Sequence, residues 1–368
     1  MQSNLCNLVP DGFLSQSTII KSLGNGAQGQ VYLTRVADGK EYAIKKLPIR
    51  DDAYDKGIDQ NALYEIDALM RLRGTPNVME IVGVCTQNDM TCIIMNSMEG
   101  DCIEYINKTS FPVRMNELGN FFSCIVRGKA YMEYLNINHY DIKPDNILVK
   151  YRPDGRPYFY LSDFGLARMN YDDFFTHYDM FTQYYRAPEY IVRRDRRSYK
   201  KYTGDIWAIA VSVLSFIINT NIFDKKKPEE ILRLIQQYTS LDNIPFSEFV
   251  NDLTFGLPDI SGVRVDIPAI LLSRLTPQQY TLVAPICIVA LGDMLALEPD
   301  ERPSAREVLL STCGEQLHPT TDLQRPQPRK IDTGSLDMIM RLSVCCTMNA
   351  ATTLVAIEMF TRFLGRLH

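Results

Sequence analysis

Gly24-Asn25-Gly26-Ala27-Gln28-Gly29-Gln30-Val31, read on through YLTRVADGKEYAIKKLPI to Ile49, decides the fold. The first eight residues fit GxGxxGxV, a pattern that serves two architectures. In a dinucleotide-binding turn a helix follows the glycines and receives phosphate at its N-terminus. Here the following residues read as strand and break at Asp38-Gly39, a hairpin signal. The dinucleotide reading therefore loses. The stretch predicts two strands joined by glycines, whose backbone N–H groups can face phosphates. Taken alone, three glycines in a flexible turn are the bland alternative.

Working outward, 19–49 reads as strands and 58–73 as a helix, with Ala62, Ile66, Leu69 and Leu72 at helical spacing. Two more strands follow near 78–85 and 91–96. From 101 on the pattern is mostly helical, with a strand-loop-strand around 139–163. This predicts an α+β protein of two lobes, a small β-rich one with one key helix and a larger helical one, with a cleft between them. The expected boundaries are an N-terminal segment 1–17, a domain 18–313 split into 18–98 and 99–313, a Pro/Gly linker 314–335 and a helical tail 336–368.

Composition agrees with a globular chain: 368 residues, 46% hydrophobic, 23% charged, net charge −5. An acidic balance argues against bulk nucleic-acid affinity. The nine cysteines make no CxxC pairs, so they read as reduced thiols and predict an intracellular protein, cytoplasmic or nuclear. The opening MQSNLCNLVPDG has neither a basic nor an apolar leader region, which predicts no secretion signal. The longest apolar runs, Trp207–Ile218 and Thr281–Leu297, fall short of a membrane span and read as buried helices.

The chemistry-bearing residues come in order. Ala43-Ile44-Lys45 sits on a strand and Glu65 on the next helix, a spacing that allows an ion pair. Then come His139-Tyr140-Asp141-Ile142-Lys143-Pro144-Asp145-Asn146, Asp163-Phe164-Gly165 and Ala187-Pro188-Glu189. With these elements the chain resembles a eukaryotic-type protein kinase of the serine/threonine class across 18–313. The resemblance implies ATP and Mg2+. It implies that Lys45 grips the α and β phosphates, that Glu65 holds Lys45, and that Asp141 is the catalytic base with Lys143 beside it. Asn146 and Asp163 would hold the metal. Leu23, Gly24, Gly26, Gly29, Val31, Ala43, Met95, Met98, Asp101 and Leu148 would line the nucleotide site. Ile81, Leu69, Phe164 and His139 match a stacked apolar spine, for which plain core packing serves nearly as well. Thr182 and Lys143 match the serine/threonine class. Asp205, Trp207 and an Arg302–Glu189 ion pair would anchor the large lobe.

Tyr185-Arg186-Ala187-Pro188-Glu189 is similar to the run shared by cyclin-dependent and mitogen-activated kinases, and Arg186 implies a preference for proline after the phosphoacceptor. Gly57–Ile66 resembles the helix through which cyclin-dependent kinases meet a cyclin-like partner. Thr176 resembles a regulatory phosphorylation site, but Tyr140 stands where most such kinases have the arginine that pairs with the loop phosphate. Arg193, Arg194, Arg196, Arg197, Lys200 and Lys201 read as a solvated loop, with a docking site for acidic segments as the alternative. The tail, with its Thr361-Arg362-Phe363-Leu364, reads as an amphipathic helix or as a fragment similar to part of a cyclin box. A pseudokinase scaffold and a small-molecule kinase are the rival functions. The first is opposed by Lys45, Asp141, Asn146 and Asp163 all being present, the second by Thr182 and the complete YRAPE run. Protein substrates are the expected partners.

Overall fold

A computed structural model describes residues 13–26, 29–48, 50–51, 56–57, 60–87, 90–169, 180–194, 202–225 and 227–315. Residues 1–12 of the expected N-terminal segment 1–17, Thr176, the basic residues Arg196, Arg197, Lys200 and Lys201, most of the linker and the whole tail lie outside them. The described residues divide into two compact units, one built on residues up to Gly74 and on 79–97, the other on 75–78 and 98–315.

In the first unit β1 (Thr18–Gly26), β2 (Gly29–Arg35), β3 (Glu41–Pro48), β4 (Ile81–Gln87) and β5 (Met90–Asn96) form one antiparallel sheet in the order β1-β2-β3-β5-β4. Both hairpins read from sequence are present. The β2–β3 turn closes where Asp38 accepts the Lys40 N–H at 2.9 Å. The period of two sorts β3 between two faces. Ile44 joins Leu14, Val36, Cys92 and Ile94 in a buried cluster, each large side chain there contributing about 1.5–3 kcal/mol. Ala43 and Lys45 take the other face. Helix α1 (Gln60–Arg71) buries Ala62, Glu65, Ile66 and Leu69.

The second unit is mostly helical. Its described part includes α2 (Cys102–Lys108), α3 (Leu118–Tyr134), the hairpin β6 (Ile147–Tyr151) and β7 (Pro157–Leu161), α4 (Thr203–Ile218), α5 (Pro285–Met294) and α6 (Ala305–Cys313). Helix α4 is apolar all round and buried from Thr203 to Ile217, which fits a central helix packed on every side. The same expectation fails for Thr281–Leu297. Helix α5 packs one face on α4 and α6 and leaves Ile286 and Val289 49% and 67% exposed. Among the described residues no helix is long and apolar enough to cross a membrane.

Candidate active site

The predicted site residues fall in both units, and each set has its own geometry. In the first, Lys45 Nζ lies 2.8 Å from both carboxylate oxygens of Glu65, and both residues are buried. Strand alternation aims Lys45 away from the Ile44 cluster, and the helical period turns Glu65 inward with Ala62 and Leu69. Such a desolvated pair is stable only while both partners are present. Leu23 and Gly24 lie on β1, where Gly24 pairs with Val31. Gly29 is required by its geometry: at φ +127° a Cβ would sit 2.7 Å from the Lys46 carbonyl oxygen. Met95 pairs with both Ala43 and Ile81.

In the second unit Asp141 is the centre of a hydrogen-bond network. Oδ1 accepts from the Thr182 N–H at 3.0 Å and from Thr182 Oγ1 at 2.8 Å. Oδ2 accepts from Lys143 Nζ at 2.8 Å and from Asn146 Nδ2 at 2.9 Å. Lys143 also donates to Thr182 Oγ1 at 2.7 Å. Burial pushes the Asp141 carboxyl upward, but the Lys143 charge and the hydrogen bonds from Lys143 and Thr182 outweigh it and hold the group below its ordinary range. Asp141 is therefore an ionised acceptor, set beside a cation.

The loop carrying Asp141 is fixed from behind. Asp205 accepts the backbone N–H groups of His139 at 2.7 Å and Tyr140 at 2.9 Å, and its carboxylate pairs with Lys129 at 2.8 Å. His139 is fully buried, and burial lowers its affinity for a proton. Its Nδ1 accepts from the Asp141 N–H at 3.3 Å, so the neutral ring donates from Nε2 to the Ser162 carbonyl at 2.9 Å. Phe164 packs against His139 with ring centroids 4.7 Å apart and planes tilted by 45°. Asp163 stands in the left-handed region, φ 59°.

The donors suit Mg2+. Asn146 commits its amide nitrogen to the Asp141 carbonyl and carboxylate, so its amide oxygen is the end turned away from them. That oxygen and the Asp163 carboxylate are hard ligands. Among the described residues no cluster of three or more His, Cys, Asp or Glu could hold a metal alone. So sparse a set matches an ion that keeps waters and takes phosphate oxygens rather than one caged by protein. Leu148 pairs with Asp101 across β6, and Asp101 Oδ1 caps α2 by accepting the Glu104 N–H at 2.8 Å. Met98 is half-buried in the same unit.

Sequence reasoning missed three participants. Lys129 is wholly buried in α3 among Ile125, Val126 and Met132, and a lone lysine in so apolar a stretch was the available signal. Phe181 has φ 67°, which turns its carbonyl oxygen to Arg186 Nη2 at 3.0 Å. No sequence pattern announces a phenylalanine in that region. Arg194, read as part of a solvated loop, is instead half-buried and bidentate to Glu298 at 3.1 and 3.2 Å. The Arg302–Glu189 pair forms as expected, at 2.7 and 2.8 Å and fully buried.

Comparison with known proteins agrees with this geometry. The family model for the protein kinase domain matches residues 17–312. The chain belongs to the protein kinase family. Cyclin-dependent kinase 20 of Danio rerio is 25% identical over 301 residues, covering 81% of this chain and 83% of the relative. The Homo sapiens protein of that name is 26% identical over 326 residues, covering 85% and 88%. Cyclin-dependent kinase-like 2 of Oryctolagus cuniculus is 29% identical over 293 residues, covering 78% of this chain and 48% of the relative. Within its family the chain is thus of the cyclin-dependent-kinase-like type.

Proposed function

We propose that the protein transfers the γ-phosphoryl group of ATP, with Mg2+, to serine or threonine hydroxyls of protein substrates, preferring proline at the next position. The Lys143–Asp141–Thr182 network carries this reading. An ionised carboxylate can accept the hydroxyl's hydrogen bond and then its proton, while Lys143 steadies the charge. Lys45, held by Glu65, would hold the α and β phosphates, and Asn146 and Asp163 would hold the metal. When bound, Mg2+ offsets the charge that develops on the transferred group.

The proline preference is supported by one carbonyl. The Phe181 oxygen is engaged by Arg186, so a substrate N–H arriving there would lack that acceptor. Proline has no N–H to leave unsatisfied. The relatives' names speak of cyclin dependence, and a cyclin-like partner on residues 57–66 fits the helix there. Because Glu65 already sits on Lys45 in the single chain, such a partner would act by favouring this arrangement over others.

The test is a peptide library phosphorylated with ATP and Mg2+ by the wild type and by Asp141→Asn. Ser-Pro and Thr-Pro peptides should lead, and the variant should lose most turnover with nucleotide binding retained. Near-full activity of Asp141→Asn would remove the assigned base. A readout flat after the phosphoacceptor would remove the proline preference alone.

A further inference from the structure

The outer face of the first unit's sheet carries a row that phosphoryl transfer does not use. Cys85 on β4 stands directly opposite Cys92 on β5, and Cys92 stands directly opposite Lys46 on β3. Side chains of directly opposed residues share a face. Both thiols are free; Cys85 is half-buried, and Cys92 is buried in the cluster with Leu14 and Ile44. We propose that Cys85 and Cys92 are a reversible oxidation site, which a peroxide closes to a cross-strand disulfide.

Three observations carry this. The first is reach. Directly opposed residues of an antiparallel pair have Cα atoms about 4.5–5.5 Å apart, inside the roughly 4.4–6.8 Å that a disulfide spans. Their Cβ atoms, about 4.5–5.5 Å apart, need to close by about 1 Å. The pair lies near the turn end of its hairpin, two residues from Gln87 and Met90, which are paired where the turn begins and hold the two strands in register there.

The second is charge. Lys46 stands directly opposite Cys92, and its ammonium favours the thiolate at both cysteines. The third is access. Cys85 is half-buried where Cys92 is buried, so Cys85 is the one of the two that a peroxide meets first.

The chemistry balances. A thiolate attacks one oxygen of hydrogen peroxide, breaking the O–O bond; it becomes a sulfenic acid, and the departing hydroxide takes a proton to give water. The second thiol then attacks the sulfenic sulfur, forms the S–S bond, gives up its proton and releases the hydroxyl as a second water. Two thiols lose two electrons and the peroxide gains them.

The proposal is independent of the phosphoryl-transfer reading, and its test measures mass rather than activity. The full-length wild-type protein is treated with hydrogen peroxide, alkylated, and cleaved before aspartate. Cleavage at Asp67, Asp89 and Asp101 puts Cys85 in peptide 67–88 and Cys92 in peptide 89–100. The two should be recovered joined, lighter than their sum by two hydrogens, and should separate on reduction. Cys85→Ser and Cys92→Ser should each abolish the joined species. Peroxide is raised until the exposed Cys313 is oxidised. If Cys85 and Cys92 are then still recovered as separate peptides, alkylated or over-oxidised, the proposal is overturned. Linkage of either to another cysteine overturns it equally.

Discussion

Replacing Thr182 by valine removes one oxygen and almost no volume, which makes it a sharp probe of the Asp141 network. Thr182 Oγ1 donates to Asp141 Oδ1 at 2.8 Å and accepts from Lys143 Nζ at 2.7 Å. A hydrogen bond to a charged group contributes about 1.5–3 kcal/mol, equivalent to roughly 10- to 150-fold in rate if it is lost in the transition state. The Thr182 N–H remains on Oδ1 and Lys143 remains on Oδ2 at 2.8 Å, so the lower half of that range is expected. Asp141 would also lose one of the bonds that keep its carboxyl low. Its pKa therefore rises, and activity that needs the ionised form is lost at a higher pH than before. The acidic limb of kcat/KM should therefore move toward higher pH. The assay is kcat/KM on a Ser-Pro peptide with ATP and Mg2+, followed from pH 8 down into the acid range as far as the protein stays folded, with Thr182→Ser restoring the wild-type profile. A valine variant within threefold of wild type, its acidic limb unmoved, would refute the role given to Thr182.

Glu65→Ala strips Lys45 of both carboxylate contacts in a buried site and should cost about 3–5 kcal/mol of stability, read as a lowered denaturation midpoint; an unchanged midpoint would contradict the burial argument. Burial raises the Glu133 carboxyl to about 7 against opposition from Lys129, so its favourable contribution is complete below its unfolded value of 4.5 and is lost as pH rises through 7. Glu133→Gln can still accept the Ala305 N–H and should gain up to about 3 kcal/mol over wild type at pH 8, with almost no gain at pH 4; parallel melting-versus-pH curves would refute this. Thr176→Ala should retain most activity, and a tenfold loss, about 1.4 kcal/mol in the barrier, would give the loop phosphate a role despite Tyr140.

What the sequence made legible was local. Asp38-Gly39 sets its own turn, and the alternation in β3 assigns Ala43 and Lys45 one face and Ile44 the other without reference to distant residues. Within the Asp141–Asn146 stretch, Lys143 and Asn146 likewise find Asp141 inside their own loop. Where the partner lies far along the chain, the reading thinned out. Arg194 looked like one member of a solvated basic run because Glu298 is more than a hundred positions away. Ile286 and Val289 looked buried because an apolar run is the same string whether its helix is surrounded or packed on one face. The Phe181 carbonyl was illegible for a deeper reason. Its direction depends on a backbone angle that phenylalanine rarely adopts and that only tertiary packing can hold.

That packing gives position 140 a structural role that a tyrosine can fill. Tyr140 is buried at φ 63°, with its N–H on Asp205 and its carbonyl oxygen accepting the Phe181 N–H at 2.8 Å. Its ring meets Phe181 edge-on at 5.5 Å, and Phe181 meets Tyr190 edge-on at 4.8 Å. Gly204 leaves room for both rings; a Cβ there would lie 2.7 Å from Phe181 and 2.8 Å from Tyr190. Aromatic contacts of this kind contribute about 0.5–1.5 kcal/mol each beyond their buried area. Two of them offset much of the strain of two left-handed residues, about 1–3 kcal/mol apiece, and the buried hydrogen bonds supply more. The next residue along is Thr182, whose N–H and hydroxyl both hold Asp141. An arginine at 140 would act through a charge that arrives only with a phosphate. The contacts of Tyr140 are present whenever the unit is folded, and through Phe181 they hold Thr182 on Asp141 by packing.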